Sequence, residues 1–284
     1  MVNNAFMNKT QILITGATGK TGRRIQARLQ ALGIGVRPGS RQAAIPFDWQ
    51  DPTTWAPALD GIEAAYLCFF PDLAVPGAPE IIQDFTDAAV AAGVRRLVLL
   101  SGRGEMHAQR CEEIVRACGV ETTILRASWF AQNFSEGHFL EAVRAGFLSV
   151  PAGGVQEPFL DIEDLCDVAV AALTEEGHAG KLYELTGPTL HTFEEAASIL
   201  SEAAGFEVQY VPITFEENHA MLTAIEGPEF ATLITELCRE VLDGRNAFLG
   251  EGVRQALGRA PRSFASYCAA AAATGVWDPS LALS

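Results

Sequence analysis

The sequence predicts an α/β fold: a doubly wound parallel sheet with a smaller, mainly helical C-terminal lobe. Three observations predict it. Short apolar runs alternate with amphipathic helical stretches through the first two-thirds of the chain, which is the pattern of βαβ units. A glycine-rich segment, Thr15-Gly16-Ala17-Thr18-Gly19-Lys20-Thr21-Gly22, follows the first of those runs. The last third is mostly helical in pattern.

Gln11–Thr15 is apolar, closes at Gly16 and reads as a buried strand. Lys20–Leu32 sets Ile25, Leu29 and Leu32 on one helical face, with Gly33 as its stop. Ile34–Ser40 is a weaker strand, interrupted by Pro38 and Gly39. Asp51–Leu59 reads as a short helix with Pro52 in its first turn. Ala64–Phe70 and Arg96–Leu100 are continuous apolar strands on either side of the amphipathic helix Pro79–Ala92. Helix His107–Cys118, strand Glu121–Leu125 and helices Asn133–Ala145 and Asp161–Leu173 follow, then strand Lys181–Thr186. Helices at Thr192–Ala204, Phe215–Ile225, Glu229–Leu242 and Phe264–Ala273 fill the remainder. Residues 9–150 are expected to form the sheet domain, completed by a strand near 181–187. Residues 151–284 are expected to form the helical lobe over the sheet's carboxyl edge, where ligands bind.

With 49% of its 284 residues apolar, the chain is not a disordered one. No apolar run approaches the ~18 residues of a membrane helix. The segment Met1 to Thr10 lacks the apolar stretch of a signal peptide. The six cysteines include no CxxC pair, so reduced thiols in a cytoplasmic protein are expected. The five histidines have no metal-binding spacing, and no metal is expected. The formal charge of −15 is unevenly placed. Met1 to Phe47 holds seven basic residues and no acid, whereas the rest holds 13 basic and 35 acidic residues. This distribution argues against a nucleic-acid partner and for one compact anion held near the N-terminus.

Gly16, Gly19 and Gly22 lie between a predicted strand and a predicted helix, the context that gives a GxxGxxG spacing its meaning. Gly16 allows the tight turn, Gly19 lets backbone approach a diphosphate, and Gly22 lets helix pack on strand. This is the Rossmann arrangement, in which a helix N-terminus faces the anion. Lys20, Arg23 and Arg24 crowd that first turn, where cations are unfavourable unless an anion binds; a solvated basic face is the alternative. An acid roughly 20 positions beyond the loop would hold an NAD ribose. Here there is none before Asp48, and Arg37, Ser40 and Arg41 stand at the end of the second strand. A guanidinium and a hydroxyl there suit a 2′-phosphate. NADP(H) is therefore the expected cofactor, with Arg41 better placed than Arg37. Thr18, Thr21 and Asp48 complete the candidate cofactor contacts in this region.

The same glycine loop, with Gly39-Ser40-Arg41 and the stretch 93–105, resembles the NmrA-like branch of the atypical short-chain dehydrogenase/reductases. The segments FDWQDPTTW (47–55), ILRASWFAQNFSE (124–136), LTGPTLHTFEEAA (185–197) and GRAPRSFASY (258–267) with GVW (275–277) are similar to its ergot-alkaloid reductase subgroup. The resemblance runs over nearly the whole chain. It implies a Rossmann fold, NADP(H) binding and a small helical substrate domain. It also implies that Phe69, Phe70 and Pro71 stand beside the cofactor, with Ala127 to Phe130 near the nicotinamide.

Short-chain dehydrogenases usually carry a YxxxK pair for proton transfer. The corresponding window, Ser101 to Glu113, has neither tyrosine nor lysine and holds His107 and Arg110 instead. His107 is a weak donor candidate or a lone surface histidine. Ser101 is a cofactor or turn contact rather than a nucleophile. Trp129 and Phe130 are expected on the pocket side and Phe134 in the core, while Asn133 either orients substrate or caps the next helix. The function expected is NADPH-dependent reduction of a small conjugated or iminium-type acceptor, an imine, enone or quinone. The alternative is a non-catalytic, NADP(H)-binding redox regulator. The expected partner is a small-molecule substrate; a homodimer is left open.

Overall fold

The computed structural model describes residues 11–281. The expected N-terminal tail, with Lys9, lies outside the described residues. Strands β1 (Gln11–Thr15), β2 (Gly35–Gly39), β3 (Ala64–Leu67), β4 (Arg96–Gly102) and β5 (Glu121–Ala127) alternate with helices α1 (Lys20–Ala31), α2 (Trp55–Leu59), α3 (Ala78–Ala91) and α4 (Met106–Ala117). Then come α5 (Asn133–Glu136), α6 (Leu140–Arg144), β6 (Phe147–Val150), β7 (Gln156–Glu157), α7 (Ile162–Thr174) and β8 (Lys181–Leu185). The chain continues through β9 (His191–Thr192), α8 (Phe193–Ala204), β10 (Gln209–Pro212), α9 (Phe215–Glu226), α10 (Pro228–Val241), α11 (Gly252–Leu257) and α12 (Phe264–Ala272).

The main sheet has the order β2-β1-β3-β4-β5-β8, with every pair parallel. Strands β1, β3 and β4 are buried on both faces, which explains their continuous apolar composition. Ile82, Phe85, Ala108 and Cys111 from α3 and α4 pack on one face with Leu13, Ala65, Leu97 and Leu99. Ile25 and Leu29 of α1 and Leu165, Val168 and Ala172 of α7 pack on the other with Ile12, Ile14, Tyr66 and Val98. The chain moves one way from β1 to β2 and the other way from β1 to β3. The crevice outside the carboxyl ends of β1 and β3 is therefore the switch point where such sheets take ligands.

The second core holds Phe134, Phe139, Phe159, Phe193, Phe264, Tyr267 and Trp277. Phe134 lies there, as its helical spacing predicts, with Phe159 and Phe264 edge-on to it. Trp277 donates Nε1–H to the Phe134 carbonyl at 2.8 Å, and Tyr267 donates to Ser135 Oγ at 2.6 Å. Helices α8 and α9 start at complete capping boxes, Thr192/Glu195 and Thr214/Glu217.

Three expectations change. The single helix Asn133–Ala145 is two short helices, α5 and α6. The chain is extended at Gly137, where an added Cβ would lie 2.9 Å from Lys20 Nζ. Within residues 151–284, α7 and α11 pack on the sheet rather than in the lobe; an amphipathic pattern tells which face is buried, not against what. The parallel pair β6–β10 and the short ladder β7–β9 were not anticipated, because runs this short carry too little periodicity.

Candidate active site

The glycine loop bridges β1 and α1 at the switch point. Gly16 has φ +63°, a left-handed conformation that favours glycine. Gly19 N–H donates to the Gly16 carbonyl at 2.9 Å, and Gly19 is the extended N-cap of α1. At Gly22 an added Cβ would lie 2.2 Å from the Gly16 carbonyl oxygen, so only glycine lets α1 sit this close to the turn. The first-turn amides have no intrahelical acceptor, no side chain caps them, and no acid stands in that turn. This cradle of backbone donors fits a diphosphate. Thr18 is exposed on the loop, whereas Thr21 is buried beneath it beside Cys68.

At the edge of the sheet, Arg37 is used within the fold. It donates to the carbonyls of Ala58, at 3.0 Å, and Asp60 at the end of α2, and to Gln11 Oε1 at 3.0 Å. Arg41 stands exposed in the turn after β2 and has no partner among the described residues. That turn is held by Ala43 and Phe47 N–H groups donating to the Ser40 carbonyl at 3.2 and 3.0 Å. Asp48 accepts from Gln50 N–H at 3.0 Å. Phe69 is buried against Trp49, while Phe70 and Pro71 are exposed at the end of β3.

The crowd of cations on α1 has protein partners. Arg23 and Arg24 both bind Glu136. Arg24 also meets Glu163 at 2.7 Å, and Arg28 binds Glu163 and meets Asp167 at 3.1 Å. Burial works against ionised Glu136, but the two guanidiniums outweigh it and hold its carboxyl below the ordinary value. Arg23 and Arg24 therefore anchor α5 and α7 to α1, which corrects their expected place beside a diphosphate. Lys20 Nζ donates to Asn133 Oδ1 at 2.8 Å across 113 residues. Burial lowers the Lys20 pKa. Asn133 neither caps a helix nor stands free: it ties the glycine loop to the lobe. Burial, aided by Lys20, pushes half-buried His138 down to about 4.

Trp129 and Phe130 follow β5 and are half-buried. Trp129 lies parallel to Phe139 at 6.3 Å and edge-on to Phe193 at 6.0 Å. Phe130 packs on the sheet side and bridges to Leu160.

No family model matches the chain. Over 292 residues it is 31% identical to the oxidoreductase YesF of Bacillus subtilis, covering 96% of this chain and 99% of that one. Over 278 residues it is 31% identical to agroclavine dehydrogenase of Claviceps fusiformis, covering 90% and 95%. The chain belongs to the NmrA-like atypical short-chain dehydrogenase/reductases. It shares the fold of triphenylmethane reductase of Citrobacter sp., solved with NADP(H), at a TM-score of 0.75 and 22% identity over 92% of this chain and 99% of that one.

In this atypical short-chain dehydrogenase/reductase, α4 occupies the window of the missing tyrosine and lysine. Ser101 is buried and donates to Glu112 Oε1 at 2.7 Å. Glu112 is also paired with Arg126, whose Nη1 meets Glu184 Oε1 at 2.9 Å. Arg103 extends the network to Glu184, at 3.1 Å, and lies 4.2 Å from the Phe248 ring centre. Ser101 is thus committed to a structural network. His107 is half-buried, and its ring has no hydrogen bond or ion pair to another described residue. The chemistry-bearing groups that sequence reasoning missed are carboxyls. Glu105 is 8% exposed with Oε2 unpartnered. Glu157 is fully buried with both oxygens unpartnered. Nothing periodic marks such residues; only the fold reveals their burial.

Proposed function

We propose that this oxidoreductase uses NADPH to reduce a small conjugated or iminium-type organic acceptor: an imine, an enone or a quinone. The carrying observation is the pairing of an uncapped α1 N-terminus, free of acids, with an unpaired Arg41 at the end of β2. The diphosphate would lie on Gly16, Thr18 and Gly19 and the amides of Lys20, Thr21 and Gly22. Ser40 and Arg41 would take the ribose 2′-phosphate, with Phe70 and Pro71 bordering the nucleotide. Trp129 and Phe130 would wall the acceptor pocket and exclude water. When bound, the reduced nicotinamide supplies the hydride. The curated names of the relatives support the chemistry, since agroclavine dehydrogenase and an NAD(P)H azoreductase are among them. The NADP(H) complex of triphenylmethane reductase supports the cofactor.

The test is NADPH oxidation, followed by absorbance, with a panel of quinones, enones and cyclic imines. Turnover on one class supports the reading. Tight NADPH binding without turnover on any supports a redox regulator instead. Arg41→Ala is expected to weaken NADP(H) roughly 10- to 100-fold, the ~1.5–3 kcal/mol of a charge-assisted contact, and to leave NAD(H) unchanged. Equal weakening of both in a fluorescence titration would remove the 2′-phosphate role. Gly22→Val is expected to raise the NADPH Kd by roughly 100-fold or more, because the added carbons must displace the Gly16 turn. Unchanged affinity in the same titration would place the diphosphate elsewhere.

A further inference from the structure

We propose that Glu105 is the acid that protonates the acceptor as it is reduced, replacing the absent tyrosine; this rests on the reductase reading above. Glu105 stands three residues beyond the end of β4 and is the N-cap of α4, with extended backbone at φ −92° and ψ 121°. An Asp or Asn at such a position caps the helix, but the Glu105 side chain makes no capping bond. It folds back over the end of the strand. A Cβ on Gly102 would lie 1.8 Å from Glu105 Oε1, so the carboxyl rests directly on the Gly102 backbone at the sheet's carboxyl edge. Glycine at position 102 is what leaves room for it.

The surroundings of this carboxyl are acidic. The elements that face it supply Asp72 from the loop after β3, Glu112 from α4 and Glu240 from α10. Glu112 is already paired with Arg126, and Glu240 accepts the Met106 N–H at 2.9 Å. No cation pairs with Glu105 among the described residues. Burial, reinforced by these three carboxylates, raises the Glu105 pKa well above the ordinary value. Burial and these carboxyls favour its protonated form, which has a proton to give. Its Oε2 is buried and unpartnered, a costly state for a carboxylic acid that the oxygen of a bound acceptor would relieve.

With a reduced nicotinamide bound to supply hydride, a C–H bond would form at the electrophilic carbon of an enone, and the conjugated π electrons would move to its oxygen. The O–H bond at Glu105 Oε2 breaks, and the proton passes to the developing enolate. Glu105 is left as carboxylate and regains a proton from water. An N-alkyl iminium differs, because hydride alone discharges its positive charge and no proton is needed.

That difference supplies the test. Glu105→Gln should lower kcat on an enone by about 100-fold, in the range of general acid catalysis, while kcat on an N-alkyl iminium salt stays within about threefold. The NADPH Kd should be unchanged, and Glu105→Asp should recover part of the enone rate. Independently of turnover, infrared difference spectra at neutral pH should show a carboxylic-acid carbonyl band that Glu105→Gln removes. Equal losses on both acceptors, no loss on the enone, or an ionised Glu105 at neutral pH would each overturn the assignment. A wild-type protein inactive on both acceptors would overturn the reductase reading and the acid with it. A wild type active on both with an unaffected variant would overturn the acid alone.

Discussion

Replacing Asp164 by Ala is expected to lower folding stability by about 3 kcal/mol, seen as a fall in Tm of roughly 5 °C for a chain this long. The Asp164 side chain is fully buried in the first turn of α7. It accepts from Arg259 Nη1 at 2.6 Å, from the Arg262 backbone N–H at 2.6 Å and from the Arg262 guanidinium. Asp167, one turn on, takes Arg259 at 2.6 Å and also meets Arg28. The pair of acids thus joins α1, α7 and the segment between α11 and α12. Breaking a buried charged contact costs about 3–5 kcal/mol because its partners lose their counter-charge. The low end applies because the two guanidiniums are 38% and 40% exposed and regain water. Asp164→Asn keeps an acceptor for the Arg262 N–H and should lose about half as much. Thermal unfolding of both variants checks this; a fall below ~2 °C for Ala would mean that water replaces the carboxylate fully.

The same contacts explain how far the sequence could be read. Strands and helices of the sheet were legible because burial on one or two faces leaves a periodic trace. The glycine loop was legible for a different reason: its demand is on backbone geometry, and Gly16 and Gly22 satisfy it alone. The basic N-terminal stretch was read only in part. A count of charges says nothing of partners, and Arg23, Arg24 and Arg28 find theirs on α5 and α7, 112 to 139 residues away. Arg37 finds backbone carbonyls at the end of α2. Among the described residues, what is left of the excess is Arg41, exposed, and Lys20, bonded to Asn133. Asn133 had two plausible roles in sequence, and the fold supplies a third. Glu105 and Glu157 left no trace, since a single buried acid breaks a pattern no differently from an exposed one.

Glu157 gives a stability effect of opposite sign. Its carboxyl is fully buried on the short strand β7, and neither oxygen has a partner. Burial pushes its pKa from an ordinary 4.5 up to about 7, against the pull of nearby Arg103. Between those two values the unfolded chain has released the proton while the folded chain keeps it. The folded state then binds more protons, so stability falls as pH rises. At about 1.4 kcal/mol per unit, the loss from this group approaches ~3 kcal/mol and is complete above the folded pKa. Gln at position 157 does not titrate. Relative to wild type, Glu157→Gln should therefore gain about 3 kcal/mol in stability on going from pH 4 to pH 8. Denaturant unfolding of both proteins at the two pH values measures it. A difference that stays flat with pH would mean that Glu157 ionises at its ordinary value, with Arg103 close enough to balance its burial.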